Sequence, residues 1–183
     1  MDLISSLGST VMGQIASPLI EAFGHKLDAR ALLRLLYLEC KHNEGILEPF
    51  KLSGYGDSPA GVAIANHIGA RLQCNYAQSV FMHGSQNRAF LSRLTTETDF
   101  IPEKEGNGTV AEGRSLIALI AGVQVRIRVL QDLSAIATTS HGRRELASVR
   151  WFIRLRNIRN ATATIREGLC GFPEILKIVG RKA

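Results

Sequence analysis

The sequence predicts an all-α protein, an antiparallel bundle of about four long helices with shorter helices between the second and third. Apolar residues recur at three- and four-residue steps over long stretches, the signature of helices with one buried face. Only 6% of the residues are aromatic and Leu, Ile and Ala are prominent, a composition that favours helix over sheet. With 183 residues, 45% of them apolar and 21% charged, the chain can fill one core, so a single helical domain over 1–183 is expected.

The first element is an amphipathic helix over 1–24. No charged side chain occurs between Leu3 and Ile20, and Leu3, Leu7, Val11, Ile15 and Leu19 follow one another at i, i+4 spacing. The opposite face is polar but uncharged. Pro18 removes a backbone donor and ends or kinks the helix near Ser17. Such a helix needs something to lie against, which is either the rest of the bundle or the surface of a bilayer. It is too polar and too interrupted to span one, which takes about 20 predominantly apolar residues.

The second element, 28–48, opens on Asp28 as an N-cap and buries Leu32, Leu35, Leu36, Ile46 and Leu47, with Pro49 stopping it. Glu39 and Asn43 follow Leu36 at i+3 and i+7 and so share its apolar side. Polar groups in that position need partners. The expected partners lie on the last long helix: Arg156 for Glu39, and Asn157 or Asn160 for Asn43, together forming a polar layer that sets helix register.

Residues 52–58 are a loop by their turn signals, and Ser58–Pro59 read as N-cap and first helical residue of a short helix reaching about Leu72. A further short helix covers Tyr76 to Met82, broken by His83–Asn87, and another segment spans 87–96. Residues 102–109 are a linker. The third core helix, 110–137, carries Leu116, Leu119, Ile120, Val123, Ile127, Leu130 and Leu133. A short turn at 138–142 makes it the antiparallel partner of the fourth, 143–169. There Trp151, Leu155, Ile158, Ile165 and Leu169 form one seam, with Thr162 at the missing turn; Leu146, Val149 and Ile153 form a second. The apolar tail after Gly171 either docks as a final turn or stays mobile.

Charge divides the chain. Residues 114–183 hold 13 Lys/Arg against 4 Asp/Glu, while residues 1–113 hold 9 against 12. The basic half either attracts the acidic half within one bundle or meets an anionic partner, with Arg143, Arg150 and Arg154 as the candidate contact face. Cys40, Cys74 and Cys170 have no disulfide-framework spacing, and Asp2 stands where an export signal would carry a cation; a cytoplasmic setting is expected. The five histidines are scattered, and no phosphate-binding glycine loop, metal-ligand spacing or nucleophile elbow occurs. No catalytic, cofactor or metal residues are therefore assigned. The expected function is a non-enzymatic interaction or regulatory module that binds a protein partner or itself. The alternatives are a membrane-acting protein that uses the N-terminal apolar face, and a nucleic-acid or anion binder that uses the arginine-bearing helix.

Overall fold

In the computed structural model the described residues are 29–48, 59–102, 115–136 and 150–180. They form seven α-helices and no strand: α1 (Ala29–Leu47), α2 (Pro59–Gly69), α3 (Asn75–Gln86), α4 (Arg88–Arg93), α5 (Leu116–Ile136), α6 (Trp151–Leu169) and α7 (Pro173–Val179). The all-α class is thus observed.

The seam expected on the last long helix is the spine of the core. Trp151, Leu155, Ile158, Ile165 and Leu169 are all buried, and Thr162 joins them with its hydroxyl donating to the Ile158 and Arg159 carbonyls at 2.9 Å. Phe152 and Ala161 widen this seam, so α6 meets neighbours on two sides. It packs most extensively on α1 and then on α5; α3 bridges α1 and α5, α2 lies against α5 and α6, and α7 rests on α1. Burying a large seam side chain contributes roughly 1.5–3 kcal/mol. Five of them outweigh any surface ion pair on this helix, since such a pair contributes about 0–1 kcal/mol.

Four boundaries differ from the sequence expectation. Helix α6 does not continue unbroken from Arg143: Arg150 lies in the left-handed region, at φ 53° and ψ 51°, and α6 starts after it. Helix α3 continues through His83 and Gly84 to Gln86. His83 is held edge-on to Phe90 of α4, with ring centroids 4.9 Å apart, a contact that extends α3 past its weak-propensity end. Helix α2 ends at Gly69, before the expected Leu72. Helix α5 starts at Leu116 and not at 110, because Ser115 just before it pairs with Glu97 in an isolated bridge. The tail takes the first of its two expected courses and docks as α7, with Ile175 fully buried.

Short-range chemistry sets the remaining ends. The Asn87 side chain accepts from Phe90 N at 3.0 Å and starts α4. The first N–H groups of α5 are satisfied by the segment that follows α4: Leu116 donates to Thr96 O and Ile117 to Leu94 O, both at 2.8 Å. At this same end of α5, a Cβ on Gly168 would meet Leu116 Cδ1 at 3.2 Å. The start of α5 thus sits tightly on the last turn of α6, where a glycine leaves room.

Candidate functional site

Glu39 and Asn43 are buried, as their place on the apolar face of α1 requires. Their partners are not the expected ones. Both Glu39 oxygens accept from the start of α3, Oε2 from Tyr76 N at 2.8 Å and Oε1 from Ala77 N at 2.9 Å. These are N–H groups that a helix leaves without an internal partner, so a carboxylate from α1 caps α3. One turn along α1, the Asn43 amide pairs with both backbone groups of one residue. Nδ2 donates to Gln73 O at 2.7 Å, and Oδ1 accepts from Gln73 N at 2.9 Å. From α5, Gln131 Nε2 donates to Leu72 O at 2.9 Å. Three side chains from two helices therefore fasten the turn between α2 and α3.

Burial pushes the Glu39 carboxyl above its ordinary value. The backbone hydrogen bonds from Tyr76, Ala77 and Asn75, together with the charge of Arg128, pull it down without cancelling that effect. With both oxygens bonded to backbone N–H, this carboxylate is built for holding the fold. The neighbouring Cys40 thiol is held well above its ordinary range, first by burial and then by the charges of Glu39 and Glu44. Burial also raises the Cys74 thiol. Neither is an activated nucleophile.

The other members of the expected polar layer are dispersed. Asn157 is fully buried, Arg156 is half-buried and Asn160 is exposed on α6. Arg156 and Asn157 each have an interaction of their own. The basic link that α6 does make to α1 is Arg166, whose Nε donates to Glu44 Oε1 at 2.8 Å and Oε2 at 3.0 Å. That hydrogen bond raises the Arg166 guanidinium further. Sequence spacing missed it because Arg166 and Glu44 both flank their seams.

A second cluster gathers at α7. Arg93 Nη2 donates to both Glu174 oxygens at 2.9 Å, Arg30 Nε lies 3.9 Å from Glu174 Oε1, and Arg34 Nε donates to Glu174 O at 3.3 Å. The Arg93 guanidinium also stands 5.0 Å from the centroid of the Phe172 ring. Burial raises the Glu174 carboxyl, but the bond from its own backbone N–H, the Arg93 hydrogen bond and the charges of Arg93 and Arg30 together hold it below its ordinary value.

Of the candidate anion face, Arg150 is exposed, Arg154 is half-buried with an interaction of its own, and Arg143 lies outside the described residues. The candidate membrane face, Leu3, Leu7, Val11, Ile15 and Leu19, also lies outside them. Among the described residues no helix is long and apolar enough to cross a membrane, and no group of three or more His, Cys, Asp or Glu converges as metal ligands do.

The described surface also carries large apolar side chains. The contacts Leu72–Gln131 and then Gln78–Arg128 (3.3 Å) show α3 and α5 running in opposite directions. One turn beyond Gln78 stand Phe81 and Met82, and one turn before Arg128 stands Val125, so the three come to one level. They are 44%, 53% and 59% exposed. Compared with protein-family models, with curated proteins and with solved structures, the chain finds no match.

Proposed function

We propose that the chain is a non-enzymatic helical interaction module that associates with itself through the apolar surface shared by α3 and α5. The observation that supports this reading is the exposure of Phe81, Met82 and Val125 at one level of two packed helices. A soluble surface gains nothing by grouping three such side chains, whereas a partner that covers them removes their apolar area from water. Gln78 and Arg128 beside them provide the polar rim of such an interface. The buried Glu39 and Asn43 belong to the scaffold in this reading. The same reading includes a finer architecture, an antiparallel bundle of four long helices, together with a cytoplasmic setting and no cofactor.

Sedimentation velocity over a concentration series tests the proposal. The wild-type chain should show a concentration-dependent larger species, and the Met82→Glu/Val125→Glu variant should remain monomeric with unchanged thermal stability. Equal sedimentation of the two chains at every concentration would contradict it.

A further inference from the structure

Acidic residues are missing from a long part of the chain. No Asp or Glu occurs from Pro59 to Thr96, which takes in α2, α3 and α4, and none from Leu116 to Gln131 of α5. Among the described residues the exposed carboxylates, Glu48, Glu97, Asp99, Asp132 and Glu167, stand on α1, on α6, in the segment after α4 and toward the end of α5. Glu39, which caps α3, is buried. Helices α3 and α5 therefore share a strip with no exposed carboxylate of their own, about 24 Å long at about 1.5 Å per residue of α5. In this strip stand the exposed Phe81, Met82 and Val125. Arg128 is exposed one turn from Val125, its Nη2 donating to Gln78 Oε1 at 3.3 Å. Arg71 and Arg88 are exposed at the two ends of α3.

We infer that this strip docks on an anionic bilayer surface, with Phe81, Met82 and Val125 entering the headgroup layer and Arg128, Arg71 and Arg88 meeting lipid phosphates. Peripheral binding needs apolar area to bury and cations that acidic headgroups attract. The strip supplies both. Contact is with the surface alone, since among the described residues no helix is long and apolar enough to cross. Arg71 and Arg88 flank a helix about 18 Å long, and cations spread over that span suit a plane of anions better than the few carboxylates of one protein segment. The inference rests on the reading of the α3–α5 surface as the one that meets a partner, and it adds a regulation of that surface. A second copy brings the same arginines to the interface, so two copies meet through apolar area alone. A bilayer offers apolar depth and balancing charge together, and so displaces the second copy.

The experiment is flotation of the full chain with phosphatidylcholine vesicles, with and without about 30% phosphatidylglycerol. The chain should float with the anionic vesicles only, and high salt should release it. The Arg71→Gln/Arg88→Gln/Arg128→Gln variant should bind at least about tenfold more weakly while keeping the larger species seen by sedimentation. Met82→Glu/Val125→Glu should lose both. A Val125→Trp chain gives a readout that does not depend on these variants folding: anionic vesicles with brominated acyl chains should quench the new indole and leave the fully buried Trp151 of wild type bright. Flotation of Met82→Glu/Val125→Glu equal to wild type, or an unquenched Val125→Trp, would overturn the inference. Failure of wild type to float beside an intact larger species would overturn it alone, whereas flotation without any larger species would remove self-association and leave this inference standing.

Discussion

Glu39 and Glu174 are both carboxylates that tie one helix to another, yet they do so under opposite physics. Glu39 is 4% exposed and bonded to backbone N–H groups; burial dominates and its carboxyl is raised. Glu174 sits at a rim among Arg93, Arg30 and Arg34; its partners dominate and its carboxyl is lowered. The comparison separates a permanent joint from a detachable one. Removing the first strands buried donors, whereas removing the second leaves groups that water can reach.

The largest effect should come from Glu39→Ala, which leaves the Tyr76 and Ala77 N–H groups without acceptors. At about 1–3 kcal/mol for each buried unsatisfied group, a loss of roughly 2–4 kcal/mol is expected in urea unfolding near the ordinary carboxylate value. At higher pH the loss should shrink, because the substitution then also removes a buried charge. Asn43→Ala should follow, with roughly 1–3 kcal/mol, since Gln73 loses a partner for both its N–H and its carbonyl. Glu174→Gln should cost about 1 kcal/mol or less while speeding hydrogen exchange in α7 well before the core. A cost for Glu174→Gln equal to that for Glu39→Ala would erase the distinction. The finest test is a double-mutant cycle. Glu39→Leu and Arg156→Met should add to within about 0.5 kcal/mol, while the Glu44–Arg166 pair should show a small favourable coupling. Coupling of Glu39 to Arg156 would restore the polar layer read from spacing.

These particular residues also show what a sequence displays and what it hides. The α6 seam was legible because burial imposes a period, and Trp151 through Leu169 keep it. The burial of Glu39 and Asn43 was legible for the same reason. Their partners were not, because Tyr76, Ala77 and Gln73 answer with backbone groups, which every residue carries and no spacing marks. Charge complementarity pointed instead to Arg156, a pairing of side chains where the fold uses main chain. The break at Arg150 was hidden in another way: arginine has no preference for the left-handed region, so nothing in its identity announces φ 53°. The Arg93, Phe172 and Glu174 cluster joins positions about eighty residues apart with no shared period, and only the packed fold brings them together.

The most direct test of the two-joint account is the pH dependence of unfolding free energy for wild type, Glu39→Gln and Glu174→Gln. A raised folded-state carboxyl binds more protons than the unfolded chain, so the Glu39 contribution is complete below its ordinary value and lost as pH rises through the raised one. A lowered one does the reverse: the Glu174 contribution is present above the ordinary value and lost as pH falls through the lowered one. Wild type should therefore lose stability relative to Glu39→Gln as pH climbs, and relative to Glu174→Gln as pH drops. Two differences that bend in the same direction, or a Glu39→Gln profile parallel to wild type, would contradict the account.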